Sequence, residues 1–135
     1  MATVRLLSDD ELSADARAVF DDIRKVRKSD FVNNFWRALA HDPKTLRRTW
    51  DSIKEVMAPG ALDPKTKEML YVAVSIAHGC SYCIHSHTAA ARAKGMTEAE
   101  YGELLAIVGM AAETNRLVTA LGVPVDEAFL VAAPD

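Results

Sequence analysis

The chain has 135 residues, half of them hydrophobic and 26% charged, a balance that supports one globular domain with a buried core. Its formal net charge of −3 leaves no basic footprint for nucleic acid. No secretory leader is read in Met1–Leu7, and the apolar runs Met69–Ala77 and Leu104–Ala112 fall short of the roughly 20 residues that span a bilayer, so a cytoplasmic protein without membrane contact is expected.

Residues 1–12 read as an arm with a short turn, because Ser8-Asp-Asp-Glu11 matches a capping box. Ser13 then opens a helix with Ala16, Val19, Phe20, Ile23 and Val26 on one stripe. The basic residues Arg24, Lys25, Arg27 and Lys28, like Arg47-Arg48 further on, are interleaved with Asp21, Asp22 and Asp51 and read as solvated helix faces. Lys28–Asn34 breaks the helix, and Phe35–Ala40 forms a short one ended by His41. Asp42-Pro43 restarts it: Asp caps, and Pro takes the first helical position, where a missing N–H costs nothing. This helix runs to about Met57, burying Leu46, Trp50, Ile53 and Met57, and Pro59-Gly60 stops it. Asp63-Pro64 repeats the start signal, and from Met69 to Ala77 the helix is apolar on nearly every side, which predicts a central, buried element. Gly79 interrupts just ahead of Cys80. The next helix ends at Lys94-Gly95, a basic last turn followed by a glycine suited to the left-handed position. Thr97-Glu-Ala-Glu100 is a second capping box, opening a long helix to about Leu121 with Gly122 as its stop. Val123–Ala133 is a tail with a last turn after Asp126. No stretch alternates with period two. The expected fold is all-α, a single domain over 1–135 with six or seven helices.

Both cysteines and three of the four histidines lie in His78-Gly-Cys-Ser-Tyr-Cys-Ile-His-Ser-His87. On a helix, Cys80, Cys83 and His87 fall within an arc of about 60°, while His85 points away. Two cysteines three apart close almost no loop and cannot staple a fold, so the pair reads as redox-active or metal-binding. An ordinary thiol with pKa about 8.5 is roughly 3% thiolate at pH 7. Lowering that value by about two units takes about 2.7 kcal/mol of differential stabilisation. The positive end of the helix favours an anion at Cys80; His87, one turn beyond Cys83, can accept or return a proton there. Which cysteine attacks first is therefore open on the residues alone. A carboxylate behind the histidine would complete the set, and Glu68 at the start of the apolar helix is the candidate if that helix folds back on the next.

Glu68, eleven residues, Cys80-x-x-Cys83, three residues, His87 and then Gly95-Met96 resemble the alkylhydroperoxidase D-like branch of the carboxymuconolactone decarboxylase superfamily. The resemblance extends to residues 35–43, 62–68 and 120–123 and covers most of the chain beyond residue 30. It implies an all-helical protomer assembling into dimers, trimers or hexamers. It also implies thiol-dependent reduction of hydroperoxides with a dithiol electron donor (a lipoyl-protein or thioredoxin-like partner), and no bound metal or organic cofactor. Carried over by position, Cys83 attacks the peroxide, Cys80 closes the disulfide, and Glu68 and His87 relay protons. Some members carry a histidine between the cysteines; this chain has Tyr82 there, which removes one relay partner.

Rival readings remain. Cys80, Cys83, His87 and Glu68 could offer two sulfurs, a nitrogen and an oxygen to zinc, although three ligands on one helix staple little. Covalent haem needs His directly after the second Cys, where Ile84 stands. A lactone decarboxylase would not need two thiols on one face. A general disulfide reductase fits the cysteines, and an inert assembly module could use them as small core residues. His85 and His78 are expected to be solvated or capping, and Trp36 and Trp50 to be core or interface.

Overall fold

A computed structural model describes residues 2–130. Among these residues there are six α-helices and no strand: α1 (Ala14–Arg27), α2 (Asn34–Leu39), α3 (Pro43–Met57), α4 (Pro64–Ala77), α5 (Ser81–Ala93) and α6 (Glu98–Leu121). Single 3-10 turns lie at Asp9–Glu11 and Glu127–Phe129, where the amino-terminal capping box and the tail turn were expected. The remainder of the expected tail, residues 131–133, lies outside the described residues. The described chain divides between Ala58 and Pro59 into two compact units.

The first unit is built on α1 and α3. Ser13 caps α1 by accepting from the Ala16 N–H at 3.2 Å, and Asp42 caps α3 by accepting from Lys44 and Thr45. The stripe read from the sequence then meets a partner: Ala16, Val19, Phe20 and Ile23 join Trp36, Leu46 and Trp50 in one hydrophobic cluster, with Ile53 packed against it. Trp36 meets Trp50 edge-on with ring centroids 5.5 Å apart, a preferred aromatic geometry. Trp50 donates its indole N–H to Asp22 at 2.6 Å, and Lys54 reaches the same carboxylate at 2.7 Å, tying α3 to α1. Val26, expected on the buried stripe, is 47% exposed, because the last turn of α1 has run past this cluster. Arg37 fixes the arm: it donates to the carbonyls of Leu7 (2.9 Å) and Val32 (3.1 Å) and to Asp9 (2.9 Å).

In the second unit α4 packs along α5 and, less extensively, against α6. Asp63 caps α4 by accepting from the Thr66 N–H at 3.0 Å. At the other end Gly79 sits at φ 69°, a left-handed turn that favours glycine, and the Cys80 N–H returns to the Ser75 carbonyl at 3.0 Å. Cys80 is thus the last bonded residue of the α4 terminus and also the cap of α5. The join is short enough to send α5 back along α4. Gly95 (φ 94°) and Gly122 (φ 59°) end α5 and α6 in the same way, with Met96 and Val123 donating back to Ala91 and Val118.

The apolar helix α4 is not buried all round. Only Glu68, Val72 and Ser75 are buried, while Leu70 and Val74 are about half exposed. Helix α6 is barer still: Leu104 is its one buried residue, and Ile107, Met110, Leu117, Val118 and Leu121 all face out. Its 24 residues are, by length and composition, apolar enough to cross a membrane. The expectation that no apolar segment is long enough missed this, because it counted uninterrupted runs. A bilayer register over residues 104–121 would place Glu113 near the midplane, where a charged side chain costs about 2.5–3.5 kcal/mol.

Candidate active site

The four residues singled out from the sequence all lie in the α4–α5 pair. Glu68 stands one turn inside α4, and its carboxylate is almost wholly buried. Two donors reach it from α5. His87 Nδ1 lies 2.7 Å from Oε2, and Lys94 Nζ donates to Oε1 at 2.9 Å. Tyr71, on α4, stacks on the His87 ring with centroids 3.6 Å apart and planes 18° from parallel. These pairings follow from the fold-back at Gly79: Tyr71 and His87 are each eight residues from it, and Glu68 near the start of α4 meets the second half of α5. Burial alone would make the Glu68 carboxyl harder to ionise. The hydrogen bonds from His87 and Lys94, with their charges, outweigh that and hold it below the usual carboxylate value of 4.5.

Cys80 and Cys83 form a disulfide with Cα atoms 5.3 Å apart. Both cysteines are half-buried, so the bond lies at the surface of the unit. The Cys83 backbone N–H points at Cys80 Sγ, 3.3 Å away, as an N-cap acceptor would receive it. Cys80 therefore occupies the cap itself, closer to the unpaired N–H groups than the expected first-turn position. In the reduced protein those groups favour a thiolate there. His87 follows Cys83 by one turn on α5.

Other expected assignments can be placed as well. His85 is exposed and bonded to the Ser81 carbonyl at 2.8 Å, and His78 is the exposed cap of α4. Among the described residues no three His, Cys, Asp or Glu side chains gather as metal ligands. In the candidate zinc set the two sulfurs are bonded to each other and His87 Nδ1 is turned to Glu68. Two residues of the network were missed. Lys94 reads from sequence as a helix-end cation, and Tyr71 as a packing residue or a hydroxyl near the thiols, not as a partner of His87. Counting positions symmetrically about Gly79 would have paired Tyr71 with His87.

The sequence profile of the Carboxymuconolactone decarboxylase family matches residues 43–126. This chain belongs to the carboxymuconolactone decarboxylase family. Within that family it has an alkylhydroperoxidase D-like fold: the crystal structure of the alkylhydroperoxidase AhpD core from Rhodospirillum rubrum ATCC 11170 superposes with a TM-score of 0.94. That protein is 66% identical, over 98% of this chain and 99% of the other. An uncharacterised protein of the cox locus of Paracoccus denitrificans is 40% identical over 52 residues, 38% of this chain and 47% of that one, so the match spans about half of the curated relative. The matched family region contains Glu68, Tyr71, both cysteines, His87 and Lys94.

Proposed function

We propose that this carboxymuconolactone decarboxylase family member is a thiol-dependent hydroperoxide reductase. The observation that carries the reading is the Cys80–Cys83 disulfide at the amino end of α5, one helical turn from a histidine bonded to a buried carboxylate. Such a disulfide is the oxidised half of a two-electron cycle, and the fold shared with the AhpD core supports the same chemistry.

In the forward half, the Cys83 thiolate attacks the terminal oxygen of a hydroperoxide. The O–O bond breaks, and the departing alkoxide takes a proton from His87 and leaves as the alcohol. Cys83 is then a sulfenic acid. The Cys80 thiolate attacks the Cys83 sulfur, the S–O bond breaks, and the hydroxide takes a proton to leave as water. One peroxide has been reduced and two thiols oxidised to one disulfide. In the return half a dithiol donor (a lipoyl-protein or thioredoxin-like partner) attacks the disulfide, restores both thiols and becomes oxidised itself. His87 carries the protons, and Glu68 orients its ring and stabilises the imidazolium.

The exposed apolar face of α6 supports a homo-oligomer, in which a second copy covers Ile107, Met110 and Leu117. A soluble assembly follows more naturally than a membrane span, given Glu113 near the midpoint of residues 104–121.

Peroxide turnover with a dithiol donor tests the roles. Cys83→Ser is expected to abolish turnover, and Cys80→Ser to stop after one round with a trappable sulfenic acid on Cys83. Equal residual activity in the two variants would contradict the assignment. Lactone decarboxylation, which the family's name carries, leaves both thiols reduced; substrate loss without thiol loss would favour it instead.

A further inference from the structure

We propose that Lys94 is a positioning residue that keeps Glu68 ionised and thereby fixes the proton of neutral His87 on Nδ1, leaving Nε2 bare to accept a proton at the reacting sulfur. The inference rests on the Glu68–His87 relay just described and assigns a residue that the Glu, Cys and His pattern does not contain.

The geometry of the carboxylate carries it. Glu68 has two oxygens, and each has one partner: Oε2 faces His87 Nδ1 at 2.7 Å, and Oε1 receives Lys94 Nζ at 2.9 Å. A carboxylate and a neutral imidazole at this distance can pair in two ways, which differ by one proton taken up from solvent. Either the carboxylate is ionised and Nδ1–H donates to it, or the carboxyl O–H donates to a bare Nδ1 and the ring proton sits on Nε2. Only the first arrangement gives the face of α5 a base. Burial favours the second, because it removes the charge. An ammonium on the other oxygen opposes burial, since it bonds strongly to a carboxylate and only weakly to a neutral acid.

Neighbouring cations are engaged elsewhere. On α4, Lys65 is bonded to Glu100 of α6 at 2.7 Å. On α5, Arg92 is bonded to Glu98 at 3.0 Å, and the disulfide sulfurs do not titrate. Tyr71 faces the His87 ring, but through its π-face. Lys94 is also well placed for the role: it caps α5, where the helix end favours a cation, and its stem crosses to α4 while the side chain remains 39% exposed.

The test reads the tautomer directly. Long-range proton–nitrogen NMR spectra of the oxidised protein, recorded from pH 8 down to pH 6, report which His87 nitrogen carries the proton. Wild type is expected to keep the Nδ1–H form, Lys94→Met to gain the Nε2–H form as the pH falls and the pair takes up its extra proton, and Lys94→Arg to return the wild-type pattern. Lys94→Gln serves the same comparison should Lys94→Met fail to fold. Superposable His87 signals in wild type and both neutral variants would overturn the proposal. Peroxide turnover is the second readout: the neutral variants should lose roughly tenfold or more in kcat with little change in peroxide KM, because the base presents the wrong nitrogen. If wild type reduces no peroxide while the tautomer still follows Lys94, the peroxidase reading falls and the assignment of Lys94 stands. If turnover is intact in the neutral variants, the positioning role is overturned.

Discussion

Glu68 is the residue on which the site's stability and chemistry meet. It ionises more readily in the folded protein than its ordinary value of 4.5, because the His87 and Lys94 donors overcome its burial. A carboxyl with a lowered folded value contributes stability that is complete above the unfolded value and is lost as pH falls through the folded one. Glu68→Gln, which keeps the size but not the charge, is expected to cost about 1–3 kcal/mol at pH 7. Urea denaturation of the oxidised proteins from pH 7 to pH 3 should show that deficit shrinking below about pH 4.5; a constant gap would contradict the ion-pair account. Thr88 offers the opposite change. Its hydroxyl is buried beside the site with no partner among the described residues, so the isosteric Thr88→Val should be neutral or stabilising by about 1 kcal/mol, read as a higher urea midpoint at unchanged slope. Glu68 entered through the family resemblance, and the proximity of Cys80, Cys83 and His87 along α5 was legible from helical spacing. Lys94 was not, since a cation at a helix end already has a sufficient local explanation.

Elements were legible where their ends are set locally. Ser13, Asp42, Asp63 and Thr97 cap helices through bonds to residues two or three positions on, and Gly95 and Gly122 end helices with positive φ. Nothing outside a few neighbours is needed to specify these. Burial was less legible, since it depends on what packs against a face. The apolar run of α4 predicts a helix sheathed on all sides, yet Leu70 and Val74 stand exposed, and Val26 overshoots the cluster that covers its neighbours. Gly79 joins the two scales, because its left-handed turn both ends α4 and sets Cys80 at the cap of α5. A Cβ there would meet no atom within 4 Å, so the penalty is one of backbone conformation. Gly79→Ala is expected to lose about 1–2 kcal/mol in urea denaturation. A loss near zero would mean the turn does not hold the α4–α5 pair in place.

On the scale of the whole molecule, the exposed apolar face of α6 is the feature that the chain by itself leaves unexplained. A second copy on that face would bury residues such as Ile107, now 69% exposed, and remove the uncharged stretch 104–112 from water. Sedimentation velocity should find wild type as an oligomer and Ile107→Glu as a smaller species, with thiol chemistry per chain retained. A monomeric wild type, or an unchanged mass in the variant, would contradict this. The length of α6 could be read from Thr97 and Gly122, but its exposure could not, since the same apolar composition suits a core helix, a membrane span or an interface. The central claim is that two neighbouring sulfurs cycle between thiols and a disulfide at the expense of a peroxide. A single-turnover experiment tests it most directly: fully reduced protein is mixed with one equivalent of an alkyl hydroperoxide, and free thiols, the Cys80–Cys83 disulfide and the alcohol are quantified. The account predicts loss of both thiols, one disulfide and one alcohol per chain, all within the same time course. Peroxide that persists while both thiols remain free would contradict it.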